Sequence, residues 1–136
     1  MQTRARKPGE TLTDMSKKIL IVDDSSAVRT IVRKALREAG YEVIEASNGL
    51  EALAIIGADR IHLVVSDLIM PVMDGMGLLE AVRRHPTGHV TPVIMLSTVT
   101  AQEQKEAARA AGARAWFSKP FQPSMLIEAI SRLVTA

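Results

Sequence analysis

Asp23 and Asp24 stand side by side at the end of an apolar run, in ILIVDDSS. A third acid, Asp67, closes a second apolar run in IHLVVSD. The hydroxyls Ser97 and Thr98 close a third in PVIMLST, and Lys119 follows a fourth in WFSKPF. Singly, each has a plain structural role. An Asp at a helix start is a cap, a Ser or Thr after a strand is a turn residue, and a Lys near a strand end is usually solvated. Gathered in one place they make a different object. Adjacent carboxylates repel and resist leaving water, so three of them within a few ångströms stay ionised only around a counter-cation. The candidate ligands are hard oxygens, with no His or Cys in these motifs, which favours Mg2+. Magnesium keeps several waters and recruits phosphate oxygens, so a phosphate-type ligand is the expected second component. Lys119 supplies a point charge for one phosphoryl oxygen and Ser97 a hydroxyl donor for another. Asp67 is placed as a nucleophile that becomes an acyl phosphate.

Such a meeting needs elements that bring the four runs to one edge. KILIV reads as a buried strand, followed by SAVRTIVRKALREAG, where Val28, Ile31, Val32, Ala35 and Ala39 recur at helical spacing until Gly40. YEVIEA and NGLEALAII, then IHLVVSD and MGLLEAVRR, repeat the strand-then-helix order. PVIMLS precedes TAQEQKEAARAAG, where Thr100 and Glu103 are spaced as a capping box. ARAWFSK reads as a fifth strand, and the last helix, entered through Pro123, carries Leu126, Ala129, Ile130, Leu133 and Val134 at helical spacing. Strands that are apolar throughout, rather than alternating, predict a parallel sheet covered on both faces. Right-handed crossovers then favour an α/β, flavodoxin-like (βα)5 fold with strand order 2-1-3-4-5. In that fold, functional groups collect beyond the carboxyl ends of the strands, where all of these candidate residues fall.

The 136-residue chain is long enough for one domain with its own core, and no second domain is expected. Apolar residues make up 47% and aromatic ones only 3%, so the core is aliphatic, as helices packed on a sheet require. Cysteine is absent, which excludes disulfides, thiolate metal sites and a Cys nucleophile. With no apolar stretch of membrane-spanning length and no signal-peptide core, a cytoplasmic protein is expected. The net charge of +2 comes from the first 18 residues, where five basic groups face two acids; the rest carries 12 basic and 13 acidic groups. Residues 1–16 are therefore read as a basic, disordered leader, with Met15 a candidate native start, and 17–136 as the folded domain. A nucleic-acid module is disfavoured, because the body has neither a basic stripe nor a recognition helix.

ILIVDDSS, VVSDLIMPVMDG, PVIMLST and WFSKPF, in this order and spacing, resemble the receiver domains of two-component response regulators, most closely the stand-alone, CheY-like type. The resemblance spans about Lys18 to Val134. It implies that Asp67 accepts a phosphoryl group from a sensor histidine kinase or a histidine phosphotransfer protein. It implies that Asp24 binds Mg2+ directly, that Asp23 assists, and that the main-chain carbonyl of Ile69 is a further ligand. Ser97 and Lys119 would contact the phosphoryl group, and the Lys119–Pro120 bond would be cis. Trp116 replaces the Tyr or Phe that swings inward on phosphorylation; it either serves as that switch with Ser97 or packs beside the last helix. Ile69 and Val99 occupy positions that tune attack by water, and two apolar side chains there imply slow self-hydrolysis. The implied output is a protein-binding face on helix 4, strand 5 and helix 5, including Gln102, Lys105, Arg109, Trp116 and Arg132.

Other features carry structural readings. Met70, Met73 and Met76 are expected to fill gaps in the core. His85 and His89 read as surface residues around Pro86, and His62 carries no signal. The competing function is an aspartyl-phosphate hydrolase of the haloacid dehalogenase type, which shares the Asp, Mg2+ and Lys. That chemistry wants a second Asp two residues beyond the nucleophile, where this chain has Ile69, and a cap domain.

Overall fold

The computed structural model describes residues 16–86, 88–99 and 101–134. Strands β1 (Lys18–Val22), β2 (Glu42–Ala46), β3 (Leu63–Asp67), β4 (Val93–Ser97) and β5 (Ala115–Ser118) alternate with helices α1 (Ser26–Glu38), α2 (Gly49–Ala58), α3 (Gly75–Arg84), α4 (Gln102–Ala110) and α5 (Pro123–Leu133). The strands form one parallel sheet in the order β2-β1-β3-β4-β5, the expected flavodoxin-like arrangement. The leader assigned to residues 1–16 lies, apart from Ser16, outside the described residues.

Successive strand side chains point to opposite faces, and both faces are dry. Leu20, Val22, Val64, Val93 and Met95 meet Ala52, Ile56, Leu78, Leu79, Val82 and Ala108 of α2, α3 and α4. Ile19, Ile21, Leu63, Val65, Ile94 and Leu96 meet Val32, Leu36, Leu126 and Ile130 of α1 and α5. Met70 is buried and Met73 and Met76 pack partly buried on the first layer, in the gap-filling role expected of them. Edge strands β2 and β5 are only half covered, because each has a neighbour on one side.

Local signals set the helix starts. Ser25 Oγ accepts the Val28 N–H at 3.2 Å, Asn48 Oδ1 the Glu51 N–H at 2.9 Å, and Asp74 Oδ1 the Gly77 N–H at 2.8 Å. Gly40, after α1, and Gly112, after α4, have φ of +96° and +111° and end those helices in the left-handed region. The capping box read at Thr100 and Glu103 involves Thr100, which lies outside the described residues; the N-cap of α4 is Ala101, without a side-chain bond. In α1 the fully buried residues are Val32 and Leu36, while Ile31 is 54% exposed and Ala39 is exposed.

His62, without a signal in sequence, ties the amino end of β1. Its N–H donates to the Lys18 carbonyl at 2.9 Å, and its Nδ1 accepts the Lys18 N–H at 3.0 Å. The Lys18 ammonium donates to Asp59 Oδ1 at 2.8 Å. An accepting Nδ1 must be unprotonated, and burial, with the charges of Lys17, Arg60 and Lys18, holds the imidazole below its ordinary range. A folded-state value below the unfolded one of about 6.5 gives stability that is complete above that pH and lost as pH falls through the folded value. The urea midpoint of the native protein is expected to decline below about pH 6.5, and His62→Gln, which keeps an acceptor but cannot titrate, to flatten that part of the curve.

Candidate functional site

The site lies beyond the carboxyl ends of β1, β3, β4 and β5, and strand register builds it. Val22 stands opposite Ser66, so the next residues, Asp23 and Asp67, leave adjacent strands side by side. Ser97 stands opposite Ser118, and the following Lys119 donates its N–H to the Ser97 carbonyl at 2.8 Å. Strand β5 ends one residue earlier than the sequence suggests, which frees Lys119 to turn back over the sheet edge. Carboxylate oxygens of Asp23, Asp24 and Asp67 all come within 4.8 Å of one another.

The three acids are not equivalent. Asp23 is 1% exposed and committed: Oδ1 accepts the Ser25 N–H at 2.9 Å and Oδ2 the Lys119 ammonium at 2.9 Å. Asp67 is 8% exposed; its Oδ1 accepts the Leu68 N–H at 2.8 Å and its Oδ2 lies 3.4 Å from Lys119 Nζ. Asp24 is exposed and has no partner among the described residues, so its carboxylate is free to take a ligand. Burial, reinforced by the Asp23 charge, pushes the Asp67 carboxyl up, and Lys119 opposes this. For Lys119, burial acts to lower its pKa, but the hydrogen bond and charge of Asp23, then Asp67, outweigh it and leave the ammonium more firmly protonated than usual. One lysine thus stands against three carboxylates, which leaves a net negative pocket.

That pocket fits a small divalent ion. Its donors are carboxylate oxygens, and octahedral ligands at about 2.1 Å lie roughly 3–4 Å apart, within reach of the observed cluster. Ser97 is fully buried at the end of β4, its Oγ accepting the Val99 N–H at 3.0 Å. Ile69 sits in the loop after β3 with its side chain 60% exposed. The Lys119–Pro120 peptide is cis. Trp116 does not pack beside the last helix: alternation in β5 sends Ala115 and Phe117 to the α1–α5 layer and Trp116 to the opposite layer, with Ala108 and Val99. On the expected output face Gln102, Arg109 and Arg132 are exposed, whereas Lys105 and Trp116 are half-buried.

Sequence reading missed the clamp behind the acid pair. Arg29 Nη1 donates to the Asp23 carbonyl at 2.6 Å and its Nε to Glu45 Oε1 at 3.0 Å, while Arg33 holds Glu45 Oε2 at 2.5 Å. The only available signal is an Arg six residues past the acids with a Glu on the neighbouring strand, a pattern shared by countless solvated ion pairs. Also missed was an apolar recess of about 380 Å3 beside Lys119, lined by Val28, Ile31, Pro120 and Phe121.

A family model for the response regulator receiver domain matches residues 19–131, which contain every element that shapes this pocket. The chain belongs to the response regulator receiver family. Chemotaxis protein CheY of Halobacterium salinarum is 34% identical over 122 residues, covering 90% of this chain and all of that one. The solved structure of Vibrio cholerae CheY4 is 42% identical with a TM-score of 0.82, covering 87% of this chain and 98% of that one. The receiver domain of Pseudomonas aeruginosa sensor histidine kinase PA1611, 26% identical with a TM-score of 0.81 over 89% of this chain and 99% of that one, carries a magnesium ion coordinated in its active-site cleft. Receiver domains are signalling modules, so the haloacid dehalogenase reading finds no support.

The loop behind Asp67 closes through Gly75, whose N–H donates to the Leu68 carbonyl at 2.7 Å. A Cβ there would overlap the Asp67 carbonyl oxygen and fall 2.8 Å from Leu68 Cα, both backbone atoms that cannot swing away. Gly75→Ala is expected to destabilise the receiver by about 1–3 kcal/mol, read as a lower urea midpoint with an unchanged m-value.

Proposed function

We propose that this receiver, over residues 17–136, is a Mg2+-dependent phosphoryl acceptor that takes its phosphate on Asp67 from a histidine kinase or histidine phosphotransfer protein and switches a protein-binding face. The observation that carries this is the juxtaposition of three carboxylates with Lys119 at one sheet edge. In the reaction an Asp67 carboxylate oxygen attacks the phosphorus of a phosphohistidine. An O–P bond forms, the P–N bond breaks, and the imidazole leaves with the electron pair and takes up a proton. Asp24, assisted by Asp23 and the Ile69 carbonyl, would hold Mg2+, which neutralises the acids and the developing phosphoryl charge. Lys119 exchanges its carboxylate partners for a phosphoryl oxygen, and Ser97 turns its hydroxyl toward another. Drawing Ser97 inward moves the segment after β4, to which its Oγ is bonded at Val99, and so reaches α4, β5 and Trp116.

Incubation with a small-molecule phosphodonor and Mg2+ is expected to give an acid-stable, base-labile phosphate. It should disappear in Asp67→Asn and on chelation of the metal; a phosphate surviving Asp67→Asn would refute the assignment. Water reaching the phosphoryl group meets the apolar Ile69, exposed beside the pocket, and Val99, half-buried on the core. Neither side chain can orient it. The phosphorylated protein, free of phosphatase, is therefore expected to persist for minutes or longer, measured as decay of the labelled form; a lifetime of seconds would contradict this.

A further inference from the structure

Asp24 carries the one carboxylate of the acid cluster that is bonded to no described residue, yet the backbone on either side of it is pinned. The Asp24–Ser25 peptide donates its N–H to Asp23 Oδ1 at 2.9 Å. The Asp23–Asp24 peptide is held through its carbonyl oxygen, which accepts Arg29 Nη1 at 2.6 Å. Because a peptide is planar, a fixed carbonyl also fixes the amide and Cα of the residue that follows. Asp23 is tied to β2 as well, its N–H donating to the Ala46 carbonyl at 3.1 Å.

The guanidinium that holds this peptide is itself braced. Arg29 Nε donates to Glu45 Oε1 at 3.0 Å, and Arg33, one turn further along α1, holds Oε2 at 2.5 Å. Glu45 sits on β2 opposite Ile21 of β1, so one fork joins helix, edge strand and acid loop. Burial acts to raise the Glu45 carboxyl, but the bonds from Arg33 and Arg29 outweigh it and keep it ionised. In a simple surface ion pair the arginine would spend its donors on the carboxylate alone. Here one donor goes to the main chain of the acid pair.

We propose that Arg29, braced by Glu45 and Arg33, is a positioning residue for Mg2+: it fixes the peptide that presents Asp24 and so holds that free carboxylate ready for the ion. This deepens the proposed function and rests on its assignment of Mg2+ to the three acids. Acting as a charge, Arg29 would do the reverse, since a cation beside the pocket repels a divalent ion. Geometry and charge therefore predict opposite signs when it is removed.

The test is calorimetric titration of the full chain with Mg2+ alone and, separately, with Ca2+ alone. Arg29→Gln is expected to raise the Mg2+ dissociation constant roughly tenfold, the lower end of the cost of losing an outer-shell partner. Ca2+ accepts flexible geometry where Mg2+ demands a near-ideal octahedron, so Ca2+ should lose less and the preference for Mg2+ should fall. Arg29→Lys keeps the charge but loses the fork that serves carbonyl and carboxylate together, and should not restore Mg2+ affinity. Arg33→Gln, which loses bonds to Glu45 and Thr30 rather than to the acids, should show a smaller loss of the same sign. Unchanged or tighter Mg2+ binding in Arg29→Gln, an equal loss for both ions, or full rescue by lysine overturns the proposal. Should Arg29→Gln fail to fold, Arg33→Gln decides the matter, and unchanged or tighter Mg2+ binding there overturns it. Absence of Mg2+ uptake by the native chain sinks the metal assignment and this inference with it, whereas native uptake that the variants share undiminished sinks the inference alone.

Discussion

The mutual repulsion of Asp23, Asp24 and Asp67 is the constraint around which this fold is arranged. Carboxylates whose oxygens lie within 4.8 Å, two of them almost out of solvent, are tolerable only because other parts of the chain oppose their charge. Lys119 contributes a cation that bridges Asp23 and Asp67, and it arrives from the opposite end of the sequence, 96 residues from Asp23. Backbone N–H groups of Ser25 and Leu68 each donate to an acid, and Arg29 holds the Asp23 carbonyl from behind. The sheet supplies a frame stiff enough to hold like charges together. Central strands β1 and β3 are hydrogen-bonded on both sides and enclosed by two aliphatic layers.

The same arrangement makes the site responsive. Lys119 has two carboxylate partners and, in the proposed phosphorylated form, would trade them for one phosphoryl oxygen. The neighbouring segment is weakly held, since α4 begins without a side-chain cap and β5 has a single neighbour. A charge change at Asp67, on the stiff centre of the sheet, would thus act on a neighbouring segment held by fewer bonds.

Much of this was readable from the chain. Unbroken apolar runs such as LVV and VIML identify strands buried on both faces, and the polar residue ending each run marks the edge where chemistry gathers. What escaped was tertiary. The apolar period of α1 includes Ile31, but how much of a helix is covered depends on the neighbour's width, and α5 covers only the line through Val32 and Leu36. The direction of Trp116 follows from the phase of β5, and a four-residue strand gives that phase too few residues to read. Arg29, Glu45 and His62 act through contacts made only after distant segments meet, so their types carried no warning.

Edge strand β5 also bears on how the protein avoids its own kind. A parallel sheet with an open flank invites another chain to extend the ladder. Here the flank is only four residues long. Exposed Arg114 precedes it, and Pro120, which has no N–H to give, stands two residues beyond its end. Short length, a charged residue at one end and a proline at the other are the features that discourage another chain from extending the ladder.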